Sequence, residues 1–208
     1  MGQVIQLGLG HRRTKQIIEA ALLTAGRPLS LEELGELFDE GDRPEKEEIR
    51  QALTELEQDY EGRGMELKEV GSGFRIQVRA QYSPWVSRLW PDRPGRYSRA
   101  LLETLALIAY RQPITRAEIE DVRGVAVSTN IIRTLLDRNW VRVVGHREVP
   151  GRPALYATTR EFLDYFCLKS LSELPSLAEL RELDVIGREL DLRLSLGATA
   201  TPAGDGGD

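Results

Sequence analysis

The same series of sequence signals occurs twice in this chain, and this duplication constrains the fold more than any other feature. Each copy has a helical stripe, a proline break, a short capped helix, a longer helix and a hairpin. The first copy places these parts at 14–25, Pro28, 31–38, 49–60 and 65–78. The second copy places them at 101–110, Pro113, 116–122, 131–138 and 140–157. This is the order of a winged-helix unit, in which three helices pack together and the hairpin forms the wing.

A capping box opens the short helix of each copy. A Ser or Thr followed three residues later by Glu lets the two residues satisfy each other's backbone N–H groups at a helix start. Ser30 with Glu33 has this pattern, and Thr115 with Glu118 repeats it 85 residues later. The sequence therefore predicts an α+β, mostly helical fold with two tandem winged-helix domains joined by a short linker.

Composition shifts give the domain boundaries. The predicted segments are a flexible N-terminus, an N-terminal winged-helix domain, a linker, a C-terminal winged-helix domain, and a helical extension followed by a disordered tail, at 1–13, 14–79, 80–97, 98–176 and 177–208. Within the linker, Trp85, Val86, Leu89 and Trp90 are expected to form an apolar anchor on a short helical stretch. Each domain is small enough for its core to be marginal, so packing against a partner or a second copy would stabilise it.

Composition also excludes several classes of function. The 208 residues include one cysteine, Cys167, and two histidines, His11 and His146, so we expect neither a disulfide framework nor a metal site. No apolar run approaches the roughly 18 residues of a transmembrane helix, and the first ten residues lack a secretory signal. No catalytic constellation is visible. We therefore expect a cytoplasmic protein that is not an enzyme and has no cofactor.

Two segments of the second copy contain side chains that a structural role does not require. One is the helix stop before Thr115, and the other is the wing turn, where Pro150 and Pro153 stiffen the backbone and would present Arg152 at little ordering cost. Partner contact and a purely structural role explain both segments equally well. The candidate partner-binding residues are Tyr110, Arg111, Gln112, Pro113, Arg123, Arg152 and Tyr156.

The same segments resemble the bacterial segregation and condensation protein B (ScpB) family. The resemblance rests on the runs Leu107–Ile119, Arg133–Leu136, Glu148–Pro153 and Phe162–Phe166. It implies a non-catalytic, nucleoid-associated subunit that forms a homodimer through its N-terminal domains. It also implies that the C-terminal domain binds the kleisin ScpA, which connects the subunit to the SMC ATPase in chromosome condensation and segregation. The dimer interface is then expected at Ile17, Leu22, Leu53, Leu56 and Tyr60.

A winged-helix transcriptional regulator that binds DNA is the alternative. Helix 129–138 and the wing residues Arg147 and Arg152 would contact the duplex, and residues 98–170 hold 11 basic against 8 acidic residues. The whole chain has a net charge of −5, however, and Asp137 on that helix opposes phosphate. We therefore expect only weak or indirect DNA contact, and no contact with a membrane.

Overall fold

The computed structural model describes residues 2–89 and 97–175, which form two helix–hairpin units. The first unit consists of α1 (Gly2–Ala25), α2 (Leu31–Gly35), α3 (Lys46–Asp59), β1 (Met65–Val70) and β2 (Gly73–Val78). A connecting segment follows, in which α4 (Ser83–Val86) lies between two 3-10 turns. The second unit consists of α5 (Arg99–Arg111), β3 (Ile114–Thr115), α6 (Arg116–Arg123), α7 (Thr129–Asp137), β4 (Val141–His146), β5 (Ala154–Thr158) and α8 (Arg160–Tyr165). The predicted mixture of helices and strands, in the predicted order, is confirmed.

Each unit has its own hydrophobic core. In the first, Ile18 of α1 and Ile49 and Leu56 of α3 are almost completely buried. In the second, Ile108, Ile119 and Leu135 contribute one buried side chain from each of the three main helices. The helical stripes in the sequence therefore face the core of their own unit.

An aromatic cluster closes the base of the second unit. The Trp140 ring lies 5.1 Å from the Tyr97 ring, 4.5 Å from the Tyr165 ring and 5.4 Å from the Phe166 ring, measured between centroids. The Arg138 guanidinium stacks over Tyr97 at 4.7 Å. These contacts join the end of α7 to α8, so α8 is an integral part of the second unit.

In both units, the chain just after the first helix pairs with the second hairpin strand. Leu29 and Phe74 exchange two backbone hydrogen bonds of 2.9 and 2.8 Å in the first unit. In the second unit, Ile114 pairs with Tyr156, which gives a three-stranded sheet in the order β3-β5-β4. The sequence does not predict these pairings. They attach each hairpin to the helices of its unit.

Both predicted capping boxes are confirmed. The Ser30 N–H donates to Glu33 Oε2 at 2.9 Å and the Glu33 N–H donates to Ser30 Oγ at 3.2 Å. The corresponding bonds between Thr115 and Glu118 are 2.8 and 3.3 Å long. The short helices therefore begin where the sequence places them, although α2 ends at Gly35, earlier than the predicted residue 38.

The boundary predicted at residue 14 is wrong, because α1 extends back to Gly2 and residues 2–13 are helical. Near its middle, α1 makes polar contacts with α3: His11 Nε2 lies 2.8 Å from Glu55 Oε1, and Lys15 Nζ lies 2.9 Å from Asp59 Oδ2. Contacts between residues more than 40 positions apart leave no local pattern, so the sequence did not reveal them.

The apolar anchor predicted in the linker is described only in part, because Trp90 lies outside the described residues; Val86 is partly buried at the end of α4. Trp85 and Leu89 are 63% and 72% exposed, so neither side chain enters a core. The short turns around Pro84 bury Ser83 instead. The helix and tail predicted over 177–208 lie outside the described residues.

Two further absences apply to residues 2–89 and 97–175. No helix there has the length and apolar character needed to cross a membrane. No group of three or more His, Cys, Asp or Glu side chains there is arranged to hold a metal ion.

We predict that Gly73→Ala strongly destabilises the first unit. Gly73 has φ of +145°, and a Cβ at this position would lie 2.2 Å from the Leu29 carbonyl oxygen. Because the Leu29–Phe74 pairing brings the two backbones this close, the free energy of unfolding should fall by about 2 kcal/mol or more. Urea denaturation measures this loss. Gly41→Ala, where no atom lies within 4 Å of the added carbon, is the control; equal stability of the two variants would contradict the prediction.

Candidate protein-interaction site

A groove of about 300 Å³ lies on the second unit, between the end of α5, α6 and the wing. It combines apolar side chains with charges of both signs. Its lining residues are Arg111, Pro113, Ile114, Glu118, Asp121, Val122 and Arg147. A concave surface of this composition is suited to a segment of another protein.

Gln112 fixes the wall of the groove at the end of α5. Its side-chain Nε2 donates to the Ala109 carbonyl at 3.1 Å and to Thr158 Oγ1 at 2.9 Å. Its Oε1 accepts the Thr158 N–H at 2.7 Å. The amide therefore holds the end of α5 against β5, and this arrangement positions Arg111 and Pro113 on either side of it.

Glu118 and Arg147 close the groove at the base of the wing. Glu118 Oε2 accepts the Thr115 N–H and the Thr115 hydroxyl, while Oε1 pairs with the Arg147 guanidinium. The pKa of Glu118 is lowered from its usual value, chiefly by the hydrogen bond from the Thr115 backbone N–H. The Thr115 hydroxyl and the Arg147 guanidinium lower this pKa further. The capping residue of α6 therefore also connects α6 to the wing.

Five valines of the second unit are exposed at the end of α6, on β4 and in the wing turn. Val122 and Val125 lie at and after the end of α6, and Val143 and Val144 lie on β4, which is an edge strand of the sheet. Val149 lies in the wing turn, and all five valines are between 43% and 56% exposed. This part of the second unit therefore exposes aliphatic surface beside wing arginines, of which Arg147 and Arg152 are paired with Glu118 and Glu148.

The predicted partner-binding residues separate into two groups in the structure. Arg111 and Pro113 line the groove, and Arg152 is exposed in the wing turn. Arg152 Nη2 also lies 3.7 Å from Glu148 Oε1 in the wing turn. The other four residues are held by contacts within the unit. Tyr110 donates its hydroxyl to the Pro175 carbonyl, Arg123 is buried against Glu103, Gln112 bonds Thr158, and Tyr156 pairs with Ile114 in the sheet.

Four of the five residues predicted at a dimer interface are core residues. Leu22, Leu53, Leu56 and Tyr60 are at most 3% exposed, and the Tyr60 hydroxyl donates to Glu19 Oε1 at 2.7 Å. These four side chains cannot face a second copy without opening the core of the first unit, so their assignment to the interface is wrong. Ile17 is half-buried. A stripe of apolar residues at helical spacing does not reveal whether it faces its own unit or another chain.

Comparison with known proteins gives consistent matches. A family model described as segregation and condensation complex subunit ScpB matches residues 16–177. A segregation and condensation protein B homolog from Coxiella burnetii is 57% identical over 182 residues, which are 88% of this chain and 87% of that protein. The segregation and condensation protein B of Syntrophotalea carbinolica is 44% identical over 191 residues, covering 91% of this chain and 94% of that protein.

Two solved structures are also similar. The crystal structure of ScpB from Mycobacterium tuberculosis has 33% sequence identity and a TM-score of 0.35, and it covers 74% of this chain and 94% of that chain. A crystal structure of a dimer of the ScpB N-terminal domain complexed with a ScpA peptide has 30% identity and a TM-score of 0.33, covering 39% of this chain and 92% of that chain.

We predict that Glu118→Gln removes a pH-dependent part of the stability. Because the folded pKa of Glu118 is lowered, the carboxylate stabilises the fold above its unfolded pKa of about 4.3, and this contribution is lost as pH falls through the lower folded pKa. The wild type should therefore melt at a higher temperature than the variant at pH 7, with a smaller difference at pH 3. Glu161→Gln, at an exposed position of α8, is the control. The same difference at both pH values would contradict the prediction.

Proposed function

Because this chain belongs to the ScpB family of segregation and condensation complex subunits, we propose that it is a non-catalytic accessory subunit of the bacterial SMC complex. The observation that carries this proposal is the family match over residues 16–177, together with 57% identity to a relative over 88% of the chain. In this role it supports chromosome condensation and segregation at the nucleoid. Two tandem winged-helix domains would supply the contacts of the subunit.

The subunit acts as a homodimer that binds the kleisin ScpA and reaches the SMC ATPase through it. A related ScpB N-terminal domain, solved as a dimer in complex with a ScpA peptide, supports both dimerisation and ScpA binding, and in that complex the N-terminal domain contacts the peptide. The buried stripe of α1 and α3 is unavailable for dimerisation. We therefore assign the dimer contact to an exposed side chain of the first unit, Leu23, which lies on α1 and is 56% exposed.

We propose the groove of the second unit as a further contact for ScpA, in addition to a contact on the first unit. Val122 offers an apolar contact, Arg111 offers a cation, and Asp121 offers an anion in the same concavity. An amphipathic protein segment can satisfy all three, whereas a groove whose two arginines are matched by two carboxylates lacks the excess positive charge that a phosphate backbone requires. The DNA-binding regulator is accordingly not favoured. Arg138 on its proposed recognition helix is also engaged with the Tyr97 ring.

We predict that the full chain is a dimer at micromolar concentration and that it forms a larger, defined complex with ScpA. Size-exclusion chromatography with multi-angle light scattering, run with and without ScpA, measures both masses. Leu23→Asp should shift the free protein towards the monomer, because a carboxylate would be buried in the interface. Leu171→Asp, at an exposed position of the second unit, is the control. A monomer that does not respond to ScpA would refute the proposed function.

We predict that Val122→Asp lowers the affinity for ScpA about tenfold, equivalent to about 1.4 kcal/mol. The side chain is 44% exposed, so the substitution should leave the fold intact. Isothermal titration calorimetry with a ScpA segment measures the change, and Leu171→Asp again serves as the control. If the wild type binds and Val122→Asp binds equally well, the groove assignment fails while the proposed function stands.

A further inference from the structure

The hairpin of the first unit contacts the last helix of the second unit. The contacts come from residues 69–75 on one side and from 163–169 on the other. They differ in kind: a steric fit, a backbone hydrogen bond, a buried guanidinium–thiol contact and an exposed ion pair. Such a varied set indicates a built contact between the two units.

Gly71 supplies the steric fit. A Cβ added at this residue would lie 2.7 Å from Leu163 Cβ and 2.9 Å from Leu163 Cδ1, closer than non-bonded carbon atoms approach. Gly71 is not among the glycines with positive φ. The requirement for glycine here therefore comes from the close approach of α8 and not from the backbone conformation.

The neighbouring residue supplies a hydrogen bond between the units. The Ser72 N–H donates to Asp164 Oδ1 at 2.9 Å, so a carboxylate of α8 receives a backbone donor from the hairpin turn. Bonds from a backbone N–H to an ionised carboxylate are among the stronger hydrogen bonds in proteins. The Lys169–Glu69 ion pair at 2.7 Å lies beside it, but both side chains are substantially exposed and the pair adds little.

Arg75 fills the centre of the contact. It is only 8% exposed, and its Nη2 donates to Cys167 Sγ at 2.8 Å, while its Nε donates to Gln77 Oε1 at 3.0 Å. Cys167 is 9% exposed. The contact therefore buries both groups, and both would be exposed to water if the units separated.

We propose that the β1–β2 hairpin is a latch that docks on α8 and holds the two units of one chain in a single arrangement. The latch consists of Gly71, Ser72 and Arg75 on the hairpin, and of Leu163, Asp164 and Cys167 on the second unit. It assigns the first wing to an intramolecular contact. This proposal does not depend on the binding of ScpA.

Because Cys167 is buried in the latch, its accessibility to solvent measures whether the hairpin is docked on the second unit. Cys167 is the single cysteine of the sequence, so the rate at which a maleimide labels the full chain reports this position alone. The wild type should label slowly in buffer and rapidly in urea. Gly71→Ala and Asp164→Ala should each label about tenfold faster than the wild type in buffer, because each raises the population of the open arrangement.

Matched controls separate the latch from general destabilisation. Gly41→Ala adds a methyl group to a glycine of the first unit with no atom within 4 Å, and Glu161→Ala removes an exposed carboxylate from α8 itself. Both controls should label at the wild-type rate. Far-UV circular dichroism should be the same for all five proteins, and small-angle X-ray scattering should show a larger radius of gyration for the two latch variants only.

Three outcomes would overturn the latch. One is labelling of the wild type in buffer at the rate measured in urea, since Cys167 would then be accessible to solvent in the native protein. Another is unchanged labelling in both Gly71→Ala and Asp164→Ala. The third is faster labelling with an unchanged radius of gyration, since α8 would then loosen locally while the units stay together.

Discussion

The pairing of the chain after the first helix with the second hairpin strand is the constraint on which both units depend. In the first unit it is the two-bond exchange between Leu29 and Phe74, and in the second it is the pairing of Ile114 with Tyr156. Without it, each hairpin would be an isolated two-stranded ribbon, which is marginal in water. With it, the proline breaks at Pro28 and Pro113 direct the chain into the sheet before the short capped helix begins.

This pairing also determines where the candidate site can form. Ile114 is buried in β3, and this burial holds the preceding residue, Pro113, at the edge of the groove. Arg111, the last residue of α5, lines the groove beside it. On the other side, Thr115 is both the last residue of β3 and the cap of α6, and its contact with Glu118 leads to Arg147 at the wing. The strand, the helix cap and the wall of the groove therefore share consecutive residues, so the sheet positions the groove.

The local features of the fold could be predicted from the sequence, whereas the features that depend on distant residues could not. Ser30 and Thr115 identify the starts of α2 and α6 in the sequence, because a capping box involves residues only three positions apart. The Leu29–Phe74 pairing joins residues 45 positions apart and leaves no local pattern. Similarly, the apolar stripe of Leu53 and Leu56 indicates burial correctly but not what buries it, and here the core of the unit does.

The candidate site was predictable only in part for the same reason. Arg111 and Pro113 lie next to a helix break and stand out in the sequence, and both line the groove. Val122 does not stand out, because an aliphatic residue at the end of an amphipathic helix is usually part of the core. Its exposure depends on how α6 meets the wing, which involves residues distant in sequence such as Glu118 and Arg147.

The groove and the contact between the units use different parts of the second unit. The groove is formed by α5, β3, α6 and the base of the wing, whereas the first hairpin meets α8 and the residues that follow it. The aromatic cluster around Trp140 ties α8 to the end of α7 within the unit. Because no residue belongs to both surfaces, substitutions that open the latch should leave the lining of the groove unchanged. Recognition of a partner and the spacing of the two units are therefore separate properties of this chain.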